Sequence, residues 1–439
     1  LEKFLYILGT LPKNLQLFAN PELARVRIHT ITFLWRTSTG SQETRHFHGN
    51  MDRIKDPAER PEMKTGEQAH APMASSSGRL RLLELAGDGI GPEIVAVTRV
   101  VVGAALALQD IEVEFITRDI GFAALEKTGT TFPGEVLDEA RACDGVILGP
   151  VSHQDYPPTS EGGLNPSGVL RKELDLYANI RPARTRPYVP SPIRTAFDLV
   201  IVRENTEGFY ADRTMFVGNG EFMPTPDLAL AVRKITAQGC RRIALSAFEL
   251  ARQRRRKVTA VHKANVLRIS DGLFLDQVRQ VAALFPDVAY DEKLVDAMAA
   301  LLIRIPDQFD VIVTTNMFGD ILSDEASELS GSLGMAPSLN SSADHAVAQA
   351  QHGSAPDIAG RDIANPVSLI SSAAMLIRWL GVRRNQPKLL AAAQDIDEAV
   401  ERTLSEPALR TRDLGGPSGT RAFGLAVKAR LGGPSRHLK

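Results

Sequence analysis

The chain has 439 residues, a formal net charge of −1 and an apolar content of 44%. That length allows about two to three domains, and the balanced charge gives no reason to expect nucleic acid or another polyanion as partner. Its 2 cysteines, Cys143 and Cys240, are far apart and fit no metal-ligand spacing or disulfide framework, so a cytoplasmic, reducing compartment is the expectation.

In chain order, the first 72 residues stand apart. They show weak periodicity and turn polar in "GSQETRHFHGNMDRIKDPAERPEMKTGEQAHAP". Residues 1–72 are expected to be a poorly ordered extension that need not be native, with a natural start at Met73. A targeting segment is the alternative; its arginines fit and its acidic residues do not. "FLYILGTL" is too short to cross a membrane, and no apolar run is expected to reach the roughly 18 residues a span needs.

From Met73 onward, short apolar runs alternate with helical patterns. "RLLELAG" reads as a strand, "GPEIVAVTRVVVGAALAL" as a helix with Pro92 in its first turn, and "IEVEFITRDI" as a strand. "PGEVLDEARAC" reads as a helix and "DGVILGPV" as a strand. Further strands are "FDLVIVREN", "RKVTAVHKAN" and "DVIVTT", separated by helices such as "GLFLDQVRQVAALF" and "KLVDAMAALLIRI". Such alternation predicts an α/β fold. The Pro-rich "RPARTRPYVPSP" suits a crossing between domains.

Several stretches carry possible chemistry. "GDGIG" at 87–91 opens a helix after a strand, but its spacing matches the dinucleotide fingerprint only loosely, and a tight turn explains it equally. "GGLNPSGVL" has P-loop-like glycines without the following Lys-Ser/Thr, which argues against a triphosphate cradle. Arg171, Arg181 and Arg203 fall near element ends and suit either solvated surface positions or a carboxylate clamp. Lys263 follows a β-branched run, where it is either solvated or, beside a metal and partly desolvated, a base. The basic run "ARQRRRKV" reads as a helix C-terminus favoured by the dipole; a nucleic-acid patch lacks interleaved aromatics.

In "VIVTTNMFGDILSDEASEL", Asp320 and Asp324 are four residues apart, so on a helix they share a face. A solvated helix start would explain them; so would a hard divalent cation, given a further carboxylate. Asp296, set in the apolar helical pattern "EKLVDAMAALL", would be costly if buried alone and can serve as that third carboxylate. The glycine-punctuated loop "HGSAPDIAGRDIANP" precedes an apolar helix. It is either an ordinary connection or a surface for a flat ligand, with Asp357 placed to accept from a ribose 2′-hydroxyl and repel a 2′-phosphate.

Seven stretches recur together and in order: "GDGIGPEI", "LRKELDLYANIRPAR", "VRENTEGFYADR", "HKANVLR", "LVDAMA", "NMFGDILSDEASELSGSLGMAPS" and "HGSAPDIAGRDIANP". Through them the chain, from about Leu80 to Leu431, resembles the isocitrate/isopropylmalate dehydrogenase family of metal-dependent β-decarboxylating dehydrogenases. The resemblance implies an α/β fold unlike the Rossmann domain. A large cofactor-binding domain would comprise 79–176 and 332–435, and a smaller domain, 177–331, would carry the dimer interface and metal ligands. It implies Arg171, Arg181 and Arg203 as ligands of substrate carboxylates, Tyr210 and Lys263 as the acid/base pair, and Asp296, Asp320 and Asp324 as ligands of Mg²⁺ or Mn²⁺. Asp296 would also touch substrate. Lys263 and Asp296 would act in the neighbouring subunit's site, so a homodimer is implied. Gly353, Ser354, Ala355, Pro356, Asp357, Ile358 and Asn365 would hold the cofactor, and the "PDI" pattern implies NAD.

The implied reaction is NAD-dependent oxidative decarboxylation of a 3-substituted malate. Isopropylmalate enzymes carry leucines three and four residues before the first arginine; here those positions are Gly168 and Ser167. Isocitrate enzymes carry serine six and asparagine four before it; here Asn165 and Ser167 stand in swapped order. Polar donors favour isocitrate, with 3-isopropylmalate, homoisocitrate, tartrate and D-malate as alternatives, and Leu164 as a possible contact for an alkyl group. A non-catalytic regulatory subunit is the different class, disfavoured because the lysine, tyrosine and aspartates are all present.

Overall fold

Leu82 and Leu83 are adjacent in sequence, yet each is fully buried in a different apolar cluster. A strand turns successive side chains to opposite faces, so a run that is apolar at every position belongs to a sheet covered on both sides. The computed structural model describes residues 79–210, 215 and 220–433. The expected extension 1–72, the start at Met73, residues 211–213 of the tyrosine motif and positions 434–435 lie outside the described residues.

The elements run β1 (Leu80–Leu85), α1 (Gly91–Leu108), β2 (Val113–Arg118), α2 (Phe122–Thr128), α3 (Gly134–Ala142), β3 (Gly145–Leu148), α4 (Pro166–Glu173), β4 (Ala178–Arg184), β5 (Asp198–Glu204), β6 (Glu221–Thr225) and β7 (Leu228–Ala231). They continue α5 (Ala237–Arg252), β8 (Lys257–His262), α6 (Ser270–Ala282), β9 (Ala289–Leu294), α7 (Val295–Arg304), β10 (Val311–Thr314), α8 (Asn316–Leu329), β11 (Leu339–Ser341), β12 (Ala346–Gln349), α9 (Val367–Arg383), α10 (Pro387–Leu404) and α11 (Thr420–Lys428). Apart from the β6–β7 pair, the strands form one 10-stranded sheet in the order β2-β1-β3-β12-β11-β4-β5-β10-β8-β9. The outer groups, β2-β1-β3-β12 and β5-β10-β8-β9, are parallel; the central pairs β12-β11, β11-β4 and β4-β5 are antiparallel.

Each parallel group is coated on both faces. In the first, Leu80, Leu82 and Ile147 pack with α1, α9, α10 and α11, while Leu83, Leu85 and Val146 pack with α3 and α4. In the second, Val200, Val202, Val311 and Val313 pack with α5 and α6, while Leu199, Ile201 and Ile312 pack with α7 and α8. Each such side chain contributes about 1.5–3 kcal/mol of transfer free energy. The short β6–β7 hairpin differs, with Phe222, Met223, Leu228 and Leu230 exposed.

The structure corrects three sequence expectations. Gly91–Leu108 is long and apolar enough to cross a membrane by length and composition, contrary to the expectation, but half of it is buried against neighbouring helices as a core helix. "KLVDAMAALLIRI" is not all helix: Lys293 and Leu294 end β9, which the sequence reading missed. In the basic run only Arg252 lies in the last turn of α5. Arg254 instead bonds Asp310 and Asp198 at 2.8 Å each, and Arg255 donates to the backbone oxygens of Asp198 and Phe309. The Pro-rich segment begins inside the sheet, since Arg181 and Arg184 belong to β4.

The far end of β4 is fastened to α10 through Glu401, which accepts from Arg186 at 2.8 Å and also from Arg184 and Tyr188. Burial alone would raise the Glu401 carboxyl; Arg186, Arg184 and Tyr188 outweigh it and hold it below its usual range. A depressed carboxylate contributes stability above its unfolded pKa and loses it as pH falls through the folded value. Glu401→Gln is therefore expected to lower unfolding free energy at pH 7 by about 3 kcal/mol. Urea titrations at several pH values should show the gap to the wild-type protein closing below about pH 4.

Candidate active site

The central antiparallel strands place polar side chains where the outer strands place apolar ones. Asn179 and Arg181 are two apart on β4 and so share a face. The register sets Arg203 of β5 beside Asn179, and Asn340 of β11 beside it on the other flank. All four are buried. Hydrogen bonds join them: Asn179 Nδ2 donates to Ser338 Oγ at 2.7 Å and to Asn340 Oδ1 at 3.0 Å, and Asn205 Nδ2 donates to the same Asn340 oxygen at 3.0 Å. Over this stripe a cleft of about 370 Å³ is lined by Asn165, Ser167, Arg171, Arg181, Arg203, Tyr210 and Asp320, and by residues from the segments after β3 and β12, among them Val151, His153 and Gln349.

Burying guanidinium groups is costly unless their charge and donors are met. Arg203 gives Nε and Nη2 to Asn316 Oδ1 at 2.9 and 2.7 Å, and Nη1 to Asp320 Oδ1. Asn316 is anchored in turn by donating to the Glu207 carbonyl at 3.0 Å. Helix α8 approaches so closely that a Cβ on Gly319 would meet Arg203 Cβ and Cγ at 2.7 Å. Arg181 Nη1 reaches Ser323 Oγ at 2.8 Å, Asp320 Oδ1 at 3.2 Å and Asp324 Oδ1 at 3.5 Å. Burial, then the neighbouring Arg203, push the Arg181 guanidinium down to about 10, still charged at neutral pH. Burial would raise the Asp320 carboxyl, but Arg203, Arg181, Arg171 and the Tyr210 hydroxyl together hold it below its usual range. Arg181 thus lies inside a strand rather than at an element end.

Tyr210 donates to Asp320 Oδ2 at 3.2 Å, and the Arg203 guanidinium lies 5.7 Å from its ring centre. Asp320 and Asp324 sit one turn apart on α8, as their spacing predicts. Lys263 and Asp296 stand elsewhere: they pair with each other at 2.8 Å, and neither lines the cleft. Asp296 is exposed, not buried in an apolar pattern, because it occupies the first turn of α7 and the buried stripe begins at Met298. Among the described residues, no three His, Cys, Asp or Glu side chains of one chain gather as a metal-ligand set.

Asn165 and Ser167 are only partly available to a ligand. Asn165 Oδ1 caps α4 by accepting from Gly168 N at 3.2 Å, and Ser167 Oγ donates to Gln349 Oε1 at 3.0 Å. Gln349 was not read from the sequence; a polar residue ending an otherwise apolar strand was the only local signal. Leu164 packs against the core cluster that contains Leu83, and the cleft lining does not include it.

The 353–365 loop lies against the "GDGIG" turn. Ile90 N donates to the Ser354 carbonyl at 2.8 Å, and Ser354 Oγ meets Ser152 Oγ at 2.7 Å. Gly89 has φ +57°, and a Cβ there would fall 2.0 Å from the Ser354 oxygen, so the glycines serve a tight turn and close packing with this loop. Ala355, at φ 39°, leads into a short turn at Pro356–Ile358 that leaves Pro356 and Asp357 exposed. An added Cβ at Gly353 would meet nothing. Asn365 Oδ1 accepts from Val367 N at 3.0 Å, and its Nδ2 donates to Asp413 Oδ2 at 2.8 Å, an acidic neighbour that sequence reading missed.

Buried arginines facing two carboxylates, beside a glycine-rich loop, form a cleft suited to an anionic ligand in this α/β fold. The family model described as isocitrate/isopropylmalate dehydrogenase matches residues 81–427, and the chain belongs to that family of decarboxylating hydroxy-acid dehydrogenases. It is 42% identical over 350 residues to the isocitrate/homoisocitrate dehydrogenase of Thermus thermophilus, covering 79% of this chain and 97% of that one. It is 39% identical over 353 residues to the 3-isopropylmalate dehydrogenase of Methanothermobacter thermautotrophicus, covering 80% and 98%. The crystal structure of isocitrate dehydrogenase from Methylococcus capsulatus superposes with a TM-score of 0.71 at 38% identity, covering 80% of this chain and 99% of that one.

Because Asn316 takes two bonds from a buried guanidinium, Asn316→Ala is expected to destabilise the fold by about 1–3 kcal/mol. Urea unfolding measures this; an unchanged midpoint would show that Arg203 does not depend on Asn316.

Proposed function

We propose that this protein catalyses the NAD-dependent, divalent-cation-dependent oxidative decarboxylation of a 3-substituted malate, with isocitrate as the preferred substrate. The observation that carries the reading is the convergence of Arg171, Arg181, Arg203, Tyr210 and Asp320 on one cleft. The relatives named for isocitrate/homoisocitrate and for 3-isopropylmalate stand at similar identity, so identity does not choose between substrates. The wall supports isocitrate: Asn165, Ser167 and Gln349 line the cleft with polar groups, and the leucines of an alkyl pocket are missing.

The donor set suits a hard cation. Asp320 is held ionised, both hydrogen bonds to Asp324 fall on Oδ1, and the two side chains share a helix face. One chain offers two of the three expected carboxylates, so the third, Asp296 of the partner subunit, completes the set in a homodimer. When bound there, Mg²⁺ or Mn²⁺ supplies Lewis-acid polarisation of the substrate's C2 oxygen and of the enolate charge. NAD suits the 353–365 loop, where exposed Asp357 favours a free ribose 2′-hydroxyl and disfavours a 2′-phosphate.

The chain's own groups do the rest. Arg171, Arg181 and Arg203 orient the substrate carboxylates by paired N–H donors. Lys263 of the partner subunit removes the C2 hydroxyl proton as hydride leaves C2 for the nicotinamide. The C3 carboxylate then departs as CO₂, and the Tyr210 hydroxyl donates its proton to C3. Large (79–176 with 332–435) and small (177–331) domains fit the two parallel groups of the sheet, and the exposed apolar β6–β7 hairpin suits contact with a second subunit.

NAD reduction should be assayed across isocitrate, homoisocitrate, 3-isopropylmalate, tartrate and D-malate, with Mg²⁺ or Mn²⁺. Isocitrate is expected to exceed 3-isopropylmalate by about tenfold in kcat/KM, because an isopropyl group leaves polar wall groups unpaired. NADP should be the poorer cofactor, and EDTA or Asp320→Asn should abolish turnover. A preference for 3-isopropylmalate would overturn the substrate reading, and turnover in EDTA the cation reading.

Mixing inactive Lys263→Met chains with inactive Tyr210→Phe chains tests the shared site. Verified subunit exchange should restore part of the activity, since one hybrid site receives both intact groups; no recovery would mean each site is built within one chain.

A further inference from the structure

Gln351 stands just after β12, two positions before the cofactor loop, and lines the cleft. Its Nε2 donates to Asp324 Oδ1 at 2.7 Å, whereas Arg181 reaches that oxygen only at 3.5 Å. The amide can sit only one way round, since its oxygen turned toward the carboxylate would be repelled. That orientation leaves Gln351 Oε1 buried without a hydrogen bond, an unfavourable arrangement that the bond to Asp324 must outweigh. A neutral amide holds the carboxylate without adding a further positive charge to that of Arg181. The bond spans two separate elements: α8 and the connection from β12 into the 353–365 loop.

We propose that Gln351 is a positioning residue: it pins Asp324 Oδ1 so that Oδ2 is presented to the divalent cation, and it links cation binding to the cofactor loop. This rests on the cation reading above. Residues that orient a metal ligand without touching the metal change affinity when removed, even though every ligand remains. Removing a direct ligand, by contrast, weakens binding further while the remaining ligands still hold the ion.

The test uses the full chain without substrate, titrated with MnCl₂ by calorimetry in the presence and absence of NADH. Wild-type protein is expected to bind Mn²⁺, and more tightly with NADH. Gln351→Met should weaken Mn²⁺ binding about 10-fold and remove the effect of NADH. Gln351→Asn, one methylene too short to reach Asp324, should behave the same way, which guards against a fold defect in either variant. In an Asp324→Asn background, Gln351→Met should cause no further loss, because the two residues act as one unit. Wild-type affinity and NADH dependence in both Gln351 variants, or losses that simply add, would overturn the proposal. Mn²⁺ binding by Asp320→Asn equal to wild type, or none by wild type, would instead overturn the cation reading and this proposal with it.

Discussion

Two guanidinium groups, Arg181 and Arg203, lie buried side by side on one face of the sheet, and the surrounding structure is organised around that fact. Like charges removed from water repel strongly unless counter-charge and acceptors are close. Asp320 stands between them, Asn316 takes two donors of Arg203, and Ser323 takes one of Arg181. With Arg171 the cluster holds three cations against Asp320 and Asp324, an excess of 3 − 2 = +1. A cleft with that excess is suited to polyanionic carboxylic acids.

The central antiparallel strands make such a cluster possible. If β11, β4 and β5 repeated the apolar pattern of the outer groups, α4 and α8 would close over them as a continuous core. Instead Asn340, Asn179 and Asn205 interlock behind the arginines, so the strands remain paired although their exposed face is polar. The two apolar clusters that flank the stripe then support α4 and α8 as separate walls. Gln351 and the 353–365 loop enter from the end of β12, which brings the expected cofactor segment to the rim of the same cleft.

Much of this was legible in the sequence. The alternation of strands and helices, the placement of Asp320 and Asp324 on one helix face, and the turn at "GDGIG" all appear as expected. The ordered motifs also pointed to the family that the comparisons bear out. Two misreadings have different causes. Asp296 looked buried because its neighbours are apolar, yet a residue in the first turn of a helix escapes the stripe that begins two positions later. Arg254 and Arg255 looked like a helix end, yet they bond to Asp198, Asp310 and Phe309, on elements distant in sequence.

Periodicity and turn chemistry act over a few residues, through backbone geometry, so the sequence by itself determined the α/β alternation and the residue types that most elements carry. Which side chains meet is a property of the sheet order. Asn179 meets Asn340 across 161 positions, and Ser167 meets Gln349 across 182. No local pattern encodes such pairings, because they arise only when β11 is inserted between β12 and β4. The tertiary structure alone therefore decided that Ser167 meets Gln349, that Leu164 packs against the core, and that Gln351 holds Asp324: each depends on where a distant element comes to rest.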